Sequence, residues 1–164
     1  MADSKDNFYR HMGVYGICAA DNRMIVIRKI LGPYTGKYDL PGGQLERMET
    51  LEQGITREFR EETGYTVRQI NPIGACDFTV TWTVRDGHTV KNLHHIALLY
   101  EVDVDSQELA HPIESFEGQD SNEAMWLDLD QVTSDNSSPL VVQAVNWIRT
   151  RTIPVASSSY DYRF

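Results

Sequence analysis

The chain has 164 residues, of which 41% are hydrophobic and 24% charged, and its formal net charge is −9 at pH 7. Length and composition indicate one globular domain with a sizeable core and argue against a disordered chain. The acidic balance argues against stable nucleic-acid binding, which needs a basic surface, so a polyphosphate ligand would have to be attracted by bound divalent cations.

The termini and apolar runs predict a cytoplasmic protein that does not contact membranes. The N-terminal sequence MADSKDNFYR has no apolar stretch typical of a secretory signal, and no apolar run approaches the ~20 residues of a membrane span. Cys18 and Cys76 lie in apolar sequence without zinc-ligand spacing, so we interpret both as small buried residues. The oligomeric state stays open between a monomer and a homodimer.

The first half of the chain predicts strands and loops after a polar lead-in at residues 1–10. Strands are predicted at Met12–Ala20 and Met24–Arg28, with a turn between them at Asp21-Asn22. The segment Tyr38–Gly43 (YDLPGG) is predicted to be extended and then to turn tightly.

A helix is predicted over Leu51–Thr63. Thr50 and Gln53 form a capping-box pattern at its start, and Gly64 suits the left-handed residue that closes a helix. Gly54 lowers helix propensity inside this segment and indicates close backbone packing there.

The second half of the chain is mostly β-rich and ends in a helix. An Asp-Gly turn at 86–87 predicts a hairpin, and Pro139 suits the first turn of the last helix. The predicted elements are strands at 66–70, 73–84, 89–104 and 124–129, an acidic loop at 106–122, a helix at 139–150 and a Ser/Tyr tail without periodicity at 154–164. This order predicts an α+β or mixed α/β/α sandwich, with one domain over residues 11–153.

The helix carries acids on its apolar side. With about 100° per residue and Leu51 at zero, Ile55 lies near +40°, Glu58 near −20° and Glu62 near +20°. A solvated charged face should lie opposite the apolar stripe, so these two acids need another explanation. Glu61, near −80°, adds a third carboxylate.

Such a cluster needs a counter-ion, because carboxylates one turn apart repel each other. We expect Arg57 and Arg60 to project to other sides of the helix, which leaves a hard divalent cation such as Mg²⁺ as the better counter-ion. Helix geometry alone keeps a metal site and a salt-bridged surface helix equally open.

The spacing of these acids resembles the signature of the Nudix hydrolases, the MutT-type pyrophosphohydrolases. That signature is G, five residues, E, seven residues and R-E-U-x-E-E-x-G-U, with U apolar. Gly43, Glu49 and the segment Arg57–Tyr65 match all seven fixed positions, for which chance is of order 10⁻⁸ per start position. Phe59 and Tyr65, at the U positions, are aromatic where aliphatic residues are more usual. MIVIR, YDLPGG and NEAMWLDL extend the resemblance, which implies a mixed sheet between helices and a loop–helix–loop active site.

The resemblance implies a metal site and a reaction. Its ligands to Mg²⁺, or to Mn²⁺ as a substitute, would be Glu58, Glu61, Glu62 and the backbone carbonyl of Gly42. Arg57 and Glu49 would pair and hold the acids, with Gly43 and Gly64 as structural support. Metal ions would neutralise phosphates and activate a water that hydrolyses a phosphoanhydride bond in a nucleoside diphosphate linked to a group X.

The identity of the general base stays open, because family members use a glutamate either of the helix or of a later loop. Glu58 is the candidate in the helix. Glu117, in the acidic loop, is the candidate outside it, although a plain solvated loop explains that residue equally well. Catalytic roles are therefore assigned to Glu58, Glu61, Glu117 and Arg57.

The substrate is the least determined property. Val80 stands where ADP-ribose pyrophosphatases of the family tend to carry a proline, and Trp82 stands near the tyrosine of diadenosine polyphosphate hydrolases. Elimination favours a (d)NTP or modified nucleotide, cleaved to NMP and pyrophosphate, over a nucleotide sugar or dinucleotide. Arg28 could contact phosphate, and Phe78 and Trp82 could stack on a base, although aromatic residues at period two are more often core.

Two other classes of protein compete with the enzyme. A nucleotide-sensing module could keep the fold without turnover, but such modules commonly lose box glutamates, and this chain retains them all. A structural domain with a charged helix would show no metal dependence. His94 and His95 are adjacent on a predicted strand and should point to opposite faces, which argues against a shared metal.

Overall fold

The computed structural model describes residues 7–105 and 121–164. In chain order its elements are β1 (Phe8–Ile17), β2 (Ala19–Ala20), β3 (Arg23–Lys29), β4 (Tyr38–Asp39), β5 (Gly42–Gly43), α1 (Leu51–Thr63), β6 (Val67–Thr83), β7 (Val90–Val104), β8 (Ser121–Asp128), α2 (Pro139–Thr150) and β9 (Ser158–Tyr162). Neither helix is long and apolar enough to cross a membrane, among the residues described.

Two sheets organise the fold. The larger has the strand order β5-β1-β7-β6-β9, with β1 parallel to β7, β6 parallel to β9, and antiparallel pairing elsewhere. In the smaller sheet, β3 pairs with β2, β4 and β8, all antiparallel. The predicted mixed α+β class is therefore confirmed.

Alternation along β1 sends side chains into two cores. Val14 packs in a core with Ile55 and Phe59 of α1, whereas Tyr15 belongs to a second core that contains the buried face of α2. Because successive residues of a strand point to opposite faces, the larger sheet separates α1 from the second core.

Helix α1 has the predicted bounds because its ends are capped locally. The Thr50 hydroxyl accepts from the backbone N–H of Gln53, whose side chain accepts from the backbone N–H of Thr50, and Gly64 closes the helix at φ +74°. The expectation that Leu51 faces the core is wrong, since this side chain is 39% exposed. The apolar stripe starts one turn later, at Ile55.

Both ends of the chain contain strands that the sequence did not predict. β1 begins at Phe8, inside the expected lead-in, and residues 158–162 of the expected tail form β9. β9 pairs with β6 from Phe78 opposite Ser158 to Trp82 opposite Tyr162. Local periodicity could not reveal this strand, because its partner lies 80 residues away in sequence.

Candidate active site

Glu62 is anchored to the two-glycine strand β5. The backbone N–H of Gly42 donates to Glu62 Oε2 at 2.8 Å, and this glutamate is only 7% exposed. Gly42 has φ +151°, and a Cβ there would lie 2.1 Å from the backbone oxygen of Val14. Only glycine can therefore bring the backbone this close to both β1 and Glu62.

Glu58 approaches the next residue of the same strand. A Cβ on Gly43 would lie 2.8 Å from Glu58 Oε1, so the missing side chain leaves a cradle that the carboxylate fills. The Glu58 side chain is 15% exposed. The carboxylates of Glu58 and Glu62 thus converge on Gly42–Gly43 and do not splay into solvent.

Arg57 forms the centre of an ion-pair network. Its Nε and Nη2 donate to the two carboxylate oxygens of Glu49 at 2.7 and 2.9 Å, and its Nη1 donates to Glu58 at 2.9 Å and Glu61 at 3.2 Å. The guanidinium holds the pKa of Glu49 below its ordinary value, and Glu49 in turn raises the pKa of Arg57. This fork geometry fixes the carboxylates more firmly than single contacts would.

The expectation that both arginines project away from the acids is wrong for Arg57. Its long side chain folds back across the helix surface and reaches its neighbour Glu58 as well as Glu61 at i+4. Arg57 therefore supplies part of the positive charge that we had assigned to a metal alone. We call Glu49, Arg57, Glu58, Glu61, Glu62 and Gly42–Gly43 together the acidic site.

Gly54 explains how the loop before α1 comes close to the helix. A Cβ at this position would lie 2.3 Å from Leu45 Cδ2 and 3.2 Å from Glu49 Oε2. The missing side chain lets the segment between β5 and α1 lie against the helix, and this contact carries Glu49 to Arg57.

The donor set suits a hard divalent cation. Carboxylate oxygens and backbone carbonyls are the ligands that Mg²⁺ prefers, and Glu58, Glu61, Glu62 and the Gly42 carbonyl provide them on adjoining parts of α1 and β5. In residues 7–105 and 121–164, however, no three Asp, Glu, His or Cys side chains converge tightly enough to hold an ion. Glu61 is turned toward Arg57, so it would have to leave the guanidinium to complete the set.

The residues predicted to bind substrate lie elsewhere. Phe78 is 2% exposed and packs against His95 and Tyr160, so its assignment to substrate stacking is wrong and it belongs to the core. Trp82 is also buried, but it borders a surface cleft. Arg28 donates to the hydroxyl of Tyr38 at 3.0 Å and lies 3.7 Å from Glu123, the rim ion pair that we considered as the alternative.

Glu117, the loop candidate for the general base, lies outside the described residues. Its role therefore stays a prediction.

A buried network on the other face of the larger sheet was not predicted. His95 Nδ1 lies 2.9 Å from the hydroxyl of Tyr34, His95 Nε2 lies 2.9 Å from that of Tyr15, and Tyr15 lies 2.8 Å from His11 Nε2. We call these four residues the imidazole–phenol network. Burial, followed by the charges of His11 and Lys29, lowers the pKa of His95 to about 3. The adjacent His94 instead contacts Asp77 at 2.8 Å, on the opposite face as predicted.

Comparison with known proteins follows from this geometry. Residues 8–149 match the sequence model of the NUDIX domain. A protein named ADP-ribose pyrophosphatase from Methanocaldococcus jannaschii is 31% identical over 130 residues, 78% of this chain and 69% of that protein. An 8-oxo-dGTP diphosphatase from Proteus vulgaris is 37% identical over 60 residues, 36% of this chain and 54% of that protein.

Solved structures share the fold at low sequence identity. A NUDIX hydrolase from Nitrosomonas europaea aligns with a TM-score of 0.64 at 20% identity, over 90% of this chain and 94% of its own. The MutT NUDIX hydrolase from Burkholderia pseudomallei gives 0.61 at 18% identity, over 84% and 97%. The NUDIX domain of Shewanella oneidensis NrtR, solved with ADP ribose, gives 0.54 at 18% identity, over 91% and 92%.

Proposed function

The chain belongs to the Nudix hydrolase family, and on this premise we propose that it uses Mg²⁺ at the acidic site to hydrolyse a phosphoanhydride bond of a nucleoside diphosphate linked to a group X. The observation that carries the proposal is the convergence of Glu58 and Glu62 on Gly42–Gly43. A sensing module that had lost catalysis would have no need to keep every acid of this site.

The residues of the acidic site have distinct proposed roles. Glu58, Glu61, Glu62 and the Gly42 carbonyl hold the cation, which neutralises the bridging phosphates and lowers the pKa of water when bound. Glu58 is proposed as the general base that takes the proton from the attacking water, with Glu117 as the alternative. Arg57 and Glu49 position the carboxylates.

Two substrate classes follow from different observations. A nucleoside triphosphate, cleaved to NMP and pyrophosphate, is our first candidate, because Val80 replaces the proline typical of ADP-ribose pyrophosphatases. ADP-ribose is the second, favoured by the similarity to the Methanocaldococcus protein. In ADP-ribose the same bond type would be cleaved, with AMP and ribose 5-phosphate as products.

The test is a hydrolysis panel of dATP, 8-oxo-dGTP, ADP-ribose and diadenosine tetraphosphate, with Mg²⁺, with Mn²⁺ and with EDTA. We expect turnover of at least one compound only with a divalent ion. Glu61→Gln should lose most of this turnover, and Glu52→Gln, an exposed glutamate of the same helix, should keep it. Absence of metal-dependent turnover on all four compounds would contradict the proposal.

A further inference from the structure

A second concave surface lies away from the acidic site, at the C-terminal end of the chain. This cleft of about 640 Å³ lies between the loop at 31–37, the hairpin that joins β6 to β7, and the last residues of the chain. Its volume is within the range of small-molecule sites. We call it the C-terminal cleft; the lining residues that matter below are Lys37, Arg85, Lys91, Trp82, Tyr162 and Phe164.

The charge of the cleft is opposite to that of the protein. The chain carries 24 acidic and 15 basic residues, yet the lining contains Lys37, Arg85 and Lys91 and no acidic side chain. None of the three cations forms an ion pair within the described part of the chain. The cleft therefore presents uncompensated positive charge, which attracts anions.

Backbone contacts hold two of these cations without neutralising them. Arg85 Nη2 donates to the carbonyl of Ile30 at 2.8 Å, which uses one of the five guanidinium N–H donors. Lys37 Nζ donates to the carbonyl of Asp135 at 2.6 Å and lies 5.0 Å from the ring centroid of Tyr162. Both side chains are thus fixed in place while their charge is retained.

Aromatic rings complete the wall of the cleft. Trp82 packs edge-to-face with Tyr9 at 5.7 Å between ring centroids, and the side chain of Phe164 is 89% exposed at the end of the chain. Rings beside cations suit a ligand that is both planar and negatively charged, because planar groups stack on rings and anions pair with Lys and Arg.

A cavity of similar size elsewhere lacks this combination. The cavity of about 670 Å³ beside β2 and β7 contains Arg23 and Arg68, but also the acidic side chains Asp21, Asp103 and Asp105. Arg68 is paired with Asp103, so positive charge is cancelled there. Charge rather than volume distinguishes the C-terminal cleft.

We propose that the C-terminal cleft binds a planar, anionic group of nucleotide size. One wall comes from Tyr162 and Phe164, which lie beyond residues 8–149 that match the family. The cleft also shares Tyr9 and Leu31 with a smaller cavity that contains Tyr15, the partner of Gly42 in the sheet. The ligand is therefore either the far end of an extended substrate or a separate mononucleotide, and both have the same chemistry.

Binding can be followed at the indole N–H signals of Trp82, Trp126 and Trp147 by NMR, in EDTA, with AMP, adenosine and inorganic phosphate as probes. We expect AMP to shift the Trp82 signal selectively and to bind at least about tenfold more tightly than adenosine or phosphate. Equal affinity for AMP and adenosine, or shifts confined to Trp126 and Trp147, would overturn the proposal. This readout needs no turnover, so it is independent of the proposed activity.

Variants test the same assignment. Arg85→Gln with Lys91→Gln should weaken AMP binding by about tenfold or more, and Phe164→Ala, at an exposed position, should weaken it without risk to folding. Arg23→Gln with Arg68→Gln removes the same charge from the other cavity and should leave AMP binding unchanged. Equal affinity of the Arg85/Lys91 variant and the native chain, with circular dichroism spectra unchanged, would overturn the proposal.

Kinetics distinguish the two sources of the ligand. If the cleft holds the far end of a substrate, the Arg85/Lys91 variant raises KM for diadenosine tetraphosphate and leaves KM for dATP and kcat unchanged. If the cleft holds a separate mononucleotide, AMP shifts Trp82 equally in the presence of diadenosine tetraphosphate, and neither KM changes.

Discussion

The two faces of β1 hold buried polar groups by different means. Toward α1, the acidic site gathers carboxylates around one guanidinium and the backbone of β5. On the opposite face, the imidazole–phenol network uses neutral side chains, and the low pKa of His95, about 3, keeps its ring uncharged at neutral pH. The first arrangement keeps charge where a cation can join it, and the second excludes charge from the core.

This difference separates function from stability. Carboxylates in the acidic site cost free energy unless they are paired, and such a cost is acceptable where it prepares a site for chemistry. The imidazole–phenol network satisfies its own hydrogen bonds, as buried polar groups must. Changes in the acidic site should therefore affect turnover first, and changes in the network should affect folding first.

Glu58→Gln should have the largest effect on the acidic site. Loss of a general base that is also a metal ligand is expected to lower kcat by about 10²- to 10⁴-fold, because the amide can neither accept the proton nor neutralise the cation. Metal-dependent release of phosphate or pyrophosphate measures this change. The unfolding free energy should stay within about 1 kcal/mol of the native value. A variant with native turnover would remove Glu58 from the mechanism.

His95 should give stability a steep dependence on pH. Its folded pKa is about 3 and its unfolded pKa is about 6.5, so between these values the unfolded chain binds a proton that the folded chain does not. Stability should fall as pH decreases through this window, by about 1.4 kcal/mol per pH unit for this group. The midpoint of urea unfolding at pH 6.5, 5.5 and 4.5 measures the slope.

Two histidine variants isolate that slope. His95→Gln lowers stability at every pH but should lose the extra slope, whereas His88→Gln, at an exposed position of the β6–β7 hairpin, should keep it. The pKa of Glu49 is lowered, so its contribution is present above its unfolded pKa and disappears only near and below pH ~4.5, as pH falls through the folded pKa. An unchanged slope in His95→Gln would show that the ring is not held neutral.

Arg57→Gln should have an intermediate effect on stability. It leaves the carboxylates of Glu49, Glu58 and Glu61 without their shared partner. The cost should be about 2 kcal/mol, between the values for exposed and fully buried ion pairs, because the Arg57 side chain is 22% exposed. Urea unfolding at pH 7 in EDTA measures it. Arg60→Gln on the exposed side of α1 serves as the control and should change stability by less than about 0.5 kcal/mol.

Gly43→Ala should have the smallest effect, and it should appear in turnover. The new Cβ would lie 2.8 Å from Glu58 Oε1, so the carboxylate must move, and displacement of a catalytic group by a fraction of an ångström is expected to cost about tenfold in kcat. The same substitution in a Glu58→Gln background should cost much less, because the displaced carboxylate is already absent. Additive losses would show that Gly43 acts through another residue.

The sequence predicted what depends on neighbouring residues. The bounds of α1 followed from Thr50 and Gly64, and the phase of Glu58 and Glu62 followed from helix geometry. Arg57 was placed wrongly, because a phase angle describes where a side chain starts and not where a long one ends. β9 and the imidazole–phenol network depend on residues that are 61 to 80 positions apart, and no local pattern contains that information.

The most direct test is the binding of Mn²⁺ to the nucleotide-free protein, followed by electron paramagnetic resonance, since bound Mn²⁺ loses the signal of the free ion. We predict saturable binding by the native chain, weakened at least about tenfold in Glu62→Gln through loss of one carboxylate ligand and unchanged in Glu52→Gln. Equal binding by all three proteins would place the metal elsewhere and contradict the assignment of the acidic site.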